Sequence, residues 1–201
     1  MLTSTPFLRL LTAHTVLTTF VVAGIWYERA DVVIAAFETE AARYKFFSTQ
    51  NFMVGALTLV LQLACFSSLV NCLGFTMSLL MEPLAIVAGM CALMLRPGVL
   101  SIMLLDGTRR VVHYALLKPV KESLYVGMSS EVIYVAKPLL DTLVYRCSSV
   151  LGAGYFSLAA HLGIAPVYRQ LFLLAVTIAW ALNSIWLGHL QAAGSRPPPL
   201  V

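Results

Sequence analysis

Charged residues are scarce in this chain of 201 residues, in which Asp, Glu, Lys and Arg together make up only 11%. Soluble domains carry about 25% charged residues on average, so the composition excludes an ordinary soluble domain. The net charge is +4, but the basic residues are scattered and form no stripe of the kind that binds nucleic acid. We therefore expect no nucleic-acid partner.

Motifs for metal binding and catalysis are also missing. No cysteines form a CxxC pair, and no histidines stand at a metal-ligand spacing. We interpret the four cysteines as apolar packing residues and expect no metal site. Nothing indicates nucleophilic catalysis or dinucleotide binding, so we expect no enzyme activity. An isolated histidine or a glutamate could ligate a tetrapyrrole, but packing roles are commoner. We expect no cofactor, and we expect bound lipid. The histidines concerned are His14, His113, His161 and His189.

A separate targeting segment is not recognisable at the N-terminus. It has no Arg- and Ser-rich transit peptide and no small-residue cleavage site. Two explanations stay open: internal helices direct the chain to its membrane, or a leader and further sequence precede Met1.

Apolar sequence dominates instead, with 60% hydrophobic residues and a mean hydropathy of +0.87. A helix that spans a bilayer needs about 20 mostly apolar residues. Hydropathy and helix breakers therefore predict an all-α integral membrane bundle of about six transmembrane helices. The expected spans are residues 7–27, 51–70, 75–95, 99–117, 132–162 and 168–190. The mixed charges of residues 30–47 predict an amphipathic helix at the membrane surface, and residues 191–201 form a Pro-rich tail.

Ionisable residues gather between Arg109 and Gly154. Such groups are costly within or beside spanning helices, so they usually face a protein interior or an aqueous cavity. One hypothesis is that the lysines and arginines bind phosphate. The other is structural, because opposite charges three or four residues apart can pair on one helix face. The pairs predicted on that basis are Asp106 with Arg109 and Arg110, Lys118 with Glu122, and Lys137 with Asp141.

The same region carries an ordered series of motifs. They are Tyr114-Ala115-Leu116, Lys118-Pro119-Val120-Lys121-Glu122, Leu124-Tyr125, Tyr134, Ala136-Lys137, Asp141-Thr142, Val144-Tyr145-Arg146 and Leu151-Gly152-Ala153. This series resembles the Y-A-L, P-A-R/K-E, Y-K-A-K and I-D-T-V-V-Y-R-G-G-D-x-x-G motifs of the nucleotide (ADP/ATP) transporter family of bacteria and plastids, which is major-facilitator-like. Weaker similarity covers residues 37–63 and 73–95.

The resemblance implies one six-helix half of a transporter built from two halves around a midplane site, here the C-terminal half. It also implies a substrate site, for which the matching residues are Lys121, Glu122, Lys137, Asp141 and Arg146.

Departures from the family pattern indicate a different role. The acidic residue of R-G-G-D is absent from Arg146-Cys147-Ser148-Ser149, and three expected loop charges are replaced by Val132, Ile133 and Val135. Another polypeptide covering the loop would explain this apolar surface. Glu82, in the middle of a predicted span, is a further candidate for partner contact, although a local polar network would also satisfy it.

Two hypotheses of function follow. The first is a transporter-derived accessory or structural subunit of a larger membrane complex, in contact with other membrane subunits and lipids. The alternative is the C-terminal half of a working ADP/ATP exchanger, which would bind nucleotide. We expect an organellar energy-converting membrane, and favour the mitochondrial inner membrane over a plastid or bacterial inner membrane.

Overall fold

The computed structural model describes residues 6–64, 66–125, 128, 130 and 132–192. Within these ranges the chain is helical and contains no strand, which confirms the all-α prediction. The α-helices are α1 (Pro6–Ala36), α2 (Glu40–Ala64), α3 (Phe66–Leu95), α4 (Val99–Val112), α5 (Lys118–Ser123), α6 (Tyr145–His161) and α7 (Pro166–Ala192). π-Helical segments occupy His113–Leu117, Val132–Ala136 and Leu139–Val144.

Four of these helices are long and apolar enough to cross a membrane. They cover Pro6–Ala36, Glu40–Leu63, Leu73–Leu95 and Pro166–Gln191, and they identify the chain as an integral membrane protein. The predicted spans at 99–117 and 132–162 do not meet the same criteria. α4 has 14 residues and α6 has 17, which at 1.5 Å per residue gives about 21 Å and 26 Å. Both are shorter than the roughly 30 Å hydrocarbon core, and π-helical segments extend them.

The prediction of a separate surface helix over residues 30–47 is wrong. Helix α1 runs on to Ala36, and α2 begins at Glu40 after a short break. Thr39 marks the start of α2, because its hydroxyl oxygen accepts a hydrogen bond from the backbone N–H of Ala42 at 3.3 Å. The charge of Asp31 near the end of α1 is satisfied by Arg169 of α7 rather than by water alone. Of the predicted tail at 191–201, residues 191–192 end α7 and the rest lies outside the described residues.

Packing is organised around α1 and α3. Helix α1 packs against α4, α6 and α7, while α3 packs against α4 and α7, and α2 packs against α4. Close approach depends on small residues: a Cβ added to Gly89 of α3 would lie 3.1 Å from the Cα atom of Leu105 in α4. Gly74 has φ of +71°, and it interrupts α3 between the predicted spans at 51–70 and 75–95.

Helix α2 is the least buried of the four long apolar helices. Its buried residues are few, and Gln50 and Thr58 are among them. The exposed large side chains are Phe52, Met53, Leu57, Leu59, Val60 and Leu63. Such a face suits contact with lipid, where no hydrophobic driving force favours covering it.

Candidate functional site

A buried ion-pair network centred on Asp106 joins four helices. The carboxylate of Asp106 is fully buried and accepts hydrogen bonds from Arg29 Nη1 at 2.7 Å and from Arg109 Nη2 at 2.8 Å. Gln50 Nε2 donates to the same carboxylate at 3.3 Å, and Arg110 Nη1 lies 3.9 Å away. The predicted pairing of Asp106 with the two following arginines is confirmed, and the structure adds residues from α1 and α2.

Glu82 of α3 is the second acid of this network. It is fully buried, its Oε2 atom lies 2.9 Å from His113 Nδ1, and its Oε1 atom lies 3.9 Å from Arg109 Nη1. The cost of a mid-span carboxylate is therefore offset by bases of the next helix. The structure thus shows the local polar network that was one of the two predictions for Glu82, and not the partner contact, because this chain's own helices enclose its side chain.

A cavity lies against the basic side of the network. Its volume is about 320 Å³. It is lined by Thr18, Thr19, Val22, Trp26, Arg29, Asn51, Arg109, Arg110, His113, Tyr114 and Tyr145. A second cavity of about 220 Å³ adjoins it and shares five of these residues. The second cavity adds His14, Lys118, Lys121, Glu122 and Asp141 to the lining. We call the first the arginine cavity and the second the lysine cavity.

Four of the five substrate-site residues implied by the resemblance come together beside the lysine cavity. Lys121 Nζ lies 3.3 Å from Asp141 Oδ1, and Lys137 forms a close ion pair with Glu122. The predicted pairs Lys118–Glu122 and Lys137–Asp141 are therefore wrong, because each acid pairs with a base from the other segment. The i→i+5 hydrogen bonds of the π-helix over Leu139–Val144 change the helical repeat, so residues four apart no longer share one face.

Arg146, the fifth of these residues, stands apart. Its side chain is exposed near the start of α6, and it makes no ion pair or hydrogen bond within the described part of the chain. Lys118 is likewise exposed and unpaired among the described residues. The geometry thus separates a paired cluster of four residues from Arg146.

The loop residues expected to meet a partner differ in exposure. Val132 is fully buried in this chain's own core, which corrects the prediction for that residue. Ile133 is partly buried against the core. Val135 is 43% exposed, and Tyr134 beside it is 77% exposed. The π-helix over Val132–Ala136 turns these neighbours to different sides. Within this π-helix, Tyr134 and Val135 are the residues that offer an open apolar surface.

Sequence reasoning missed the second buried ion-pair cluster, between α1 and α7. Arg169 lies 2.7 Å from Asp31 and 3.5 Å from Glu28, and Gln170 donates to Glu28 at 2.7 Å. Arg169 and Glu28 are almost fully buried. The available signal was a pair of opposite charges within two otherwise apolar helices, which are rare in membrane segments unless paired.

His14 was also predicted to have a packing role. Its Nδ1 atom accepts a hydrogen bond from the indole N–H of Trp180 at 3.2 Å, so the ring proton of the neutral form is on Nε2. Nε2 is buried and has no partner among the described residues, although His14 lines the lysine cavity. Within the ranges that the structure describes, no three His, Cys, Asp or Glu side chains cluster in a way that could hold a metal ion.

Tyr125 lies beside the paired cluster, outside the four spanning helices. Burial raises the pKa of its phenol well above the ordinary value, with a further contribution from Asp141. The ammonium of Lys137 lies 5.1 Å from the centre of its ring, so the ring carries a cation on its face as well as packing into the core.

Comparisons of the chain with protein-family models, with curated proteins and with solved structures give no match. The class that the fold and the buried charges define is an all-α integral membrane protein with ion pairs buried in its interior.

Proposed function

We propose that this chain is an accessory, structural subunit of a larger membrane assembly and does not itself transport. The proposal rests on the pairing of the two buried acids. Asp106 and Glu82 are both fully buried, and both contact basic side chains of the same chain. A carrier that alternates between two states needs interactions that differ between them. Here the carboxylates join α1, α3 and α4, which favours a fixed scaffold.

The exposed surface supports the same proposal. Tyr134 and Val135 are open apolar side chains, two and three residues before Lys137, which forms an ion pair with Glu122. An apolar patch rimmed by charge is typical of a protein contact. A partner contact accounts for only part of the loss of expected loop charges at Val132 and Ile133, because this chain's own core already covers Val132. The proposed contact is therefore centred on Tyr134 and Val135.

Substitution at this surface tests the accessory role. We expect Val135→Asp to release the chain from its native assembly, because a carboxylate would have to be desolvated in the contact. The measurement is the native-gel mobility of the tagged chain in extracts of its own membranes. Ile164→Asp, at an exposed apolar residue in the α6–α7 turn, is the matched control and should leave the assembly intact. Equal mobility of both variants and the unaltered chain contradicts the proposed contact.

The alternative is the C-terminal half of a working ADP/ATP exchanger. The adjoining cavities, with Lys118 and Lys121 on their wall, favour it. Against it, Lys121 and Lys137 are already paired with Asp141 and Glu122. We expect the purified chain in liposomes to take up labelled ATP or ADP no faster than protein-free liposomes. Uptake by the unaltered chain that Lys121→Gln abolishes would establish the alternative and refute the accessory proposal.

We place the assembly in an organellar energy-converting membrane, with the mitochondrial inner membrane favoured over plastid or bacterial ones. The resemblance to a family of bacteria and plastids supports the organellar part of this proposal. Co-fractionation of the tagged chain with a marker of the mitochondrial inner membrane is the expected result, and co-fractionation with plastid membranes contradicts it.

A further inference from the structure

The ion-pair network contains more bases than acids. Three guanidinium groups, from Arg29, Arg109 and Arg110, share the carboxylates of Asp106 and Glu82. Arg110 is the least compensated, because its hydrogen bond at 2.7 Å goes to the neutral amide oxygen of Asn51 and its nearest carboxylate oxygen is 3.9 Å away. A cation in or beside a membrane bundle is costly unless an anion or water meets it.

The spare positive charge faces the arginine cavity. All three arginines and His113 line this cavity of about 320 Å³, whereas Asp106 and Glu82 do not. Arg109 is 4% exposed, and its Nε atom has no partner among the described residues. Neither acid of the network lines the cavity. Each guanidinium has five N–H groups, which is more than it donates to Asp106, Gln50 or Asn51. Such a wall matches an oxyanion, and guanidinium groups fit phosphate with two parallel hydrogen bonds.

The position of the cavity along the helices indicates the source of the anion. Trp26 and Arg29 follow the most apolar part of α1, and Asn51 precedes that of α2. Tryptophan is enriched at the level of the lipid headgroups, so this end of the cavity lies near the membrane surface. The remaining wall combines the hydroxyls of Thr18 and Thr19 with apolar or aromatic side chains, which are Val22, Tyr114 and Tyr145. The volume is at the lower end of ligand pockets, about 300–1,000 Å³, which suits a headgroup.

We propose that the arginine cavity binds a phosphate group presented by the headgroup of an anionic phospholipid. The phosphate accepts hydrogen bonds from Arg110 and Arg109, and Arg29 completes the positive surroundings. Basic pockets between transmembrane helices are a known way for proteins to hold anionic headgroups. The inference requires the chain to lie in a membrane but does not depend on the accessory role, so failure of either leaves the other standing.

Native mass spectrometry of the detergent-purified, delipidated full chain tests the site. The probe is phosphatidylglycerol, with phosphatidylcholine as the zwitterionic comparison and inorganic phosphate as the water-soluble one. We expect one phosphatidylglycerol to bind in preference to phosphatidylcholine, and Arg110→Gln to weaken that binding by about tenfold, as loss of a charged hydrogen bond implies. Arg110→Lys keeps the charge but not the paired donors, and an intermediate loss is expected.

Arg96→Gln is the matched control, since it removes the same charge from an exposed residue between α3 and α4. It should bind phosphatidylglycerol like the unaltered chain. Binding of inorganic phosphate with the same sensitivity to Arg110→Gln, and displacement of the lipid by it, would support the phosphate site but assign it to a soluble anion. Equal weakening in the Arg96 and Arg110 variants, or no preference for phosphatidylglycerol, overturns the proposal. Arg110→Lys decides the matter if Arg110→Gln does not fold.

Discussion

Arg29 of α1 and Asp106 of α4 lie 77 positions apart in the sequence, and their side chains form an ion pair with 2.7 Å between Nη1 and Oδ2. Asp106 is fully buried, and the Arg29 side chain is 14% exposed. When one member of such a pair is removed, the other remains buried without a counter-charge, and that loss is larger than the net contribution of the intact pair. Among the buried charged residues, we therefore expect substitution of Asp106 to lower the stability of the protein most.

We predict that Asp106→Asn lowers the free energy of unfolding by about 3 kcal/mol, the range for breaking a buried ion pair. Asn cannot neutralise Arg29 and Arg109, which both donate to the carboxylate. The measurement is equilibrium unfolding in detergent micelles. Asp31→Asn is the control, because Asp31 also lies 2.7 Å from an arginine but is 51% exposed, and it should cost at most about 1 kcal/mol. Equal losses in the two variants would contradict the central role of Asp106.

Glu82 and His113 give a prediction by double substitution. Glu82→Leu alone leaves His113 without its acid and leaves Arg109 with Asp106 alone. It should lower the unfolding free energy by about 2–3 kcal/mol. His113→Leu alone should cost less, since its side chain is 28% exposed. The double variant should lose at least 0.5 kcal/mol less than the sum, because apolar residues then replace both partners. Strict additivity in the same unfolding measurement would show that the contact between them contributes nothing.

Helix packing can be tested separately from charge. Gly89→Ala should lower stability by about 1–3 kcal/mol as an overpacking change, because the added Cβ would lie 3.0 Å from the Leu105 Cβ atom and 3.1 Å from its Cα atom. Gly55→Ala is the matched control in α2, where a Cβ meets nothing within 4 Å. It should raise stability by up to about 1 kcal/mol, since alanine is the better helix former. A stabilising effect at both positions would refute the close contact of α3 with α4.

The helical class and four spanning helices could be predicted because long apolar runs have few other solutions in a bilayer. Asp106–Arg109 could be predicted because both residues lie on one helix, three residues apart. The bounds of the other two predicted spans were harder to predict, because charged residues in α4 and π-helical turns at 113–117 and 139–144 interrupt the regular α-helical period. Hydropathy records composition, and it does not record where the hydrogen-bond pattern changes from i→i+4 to i→i+5.

Most of the candidate site depended on tertiary structure. The pairs Arg29–Asp106 and Glu28–Arg169 join helices that are far apart in sequence, and no local spacing predicts them. For Glu82 the sequence predicted only that a buried carboxylate needs a counter-charge. It did not predict whether that group would be His113 of the same chain or a residue of another polypeptide. The prediction for Val132 failed for a similar reason, since its covering surface comes from this chain's own core.

The accessory role is tested most directly at Tyr134, which is 77% exposed and should contact the partner polypeptide. The measurement is photo-crosslinking in native membranes with benzoylphenylalanine in place of Tyr134, compared with the same probe in place of Trp186, which is 66% exposed on α7. We predict that the probe at position 134 joins the chain to one other membrane polypeptide of defined mass, and that this product disappears in the Val135→Asp variant. Adducts with lipid alone at position 134, the same as at a lipid-facing position, would contradict the account.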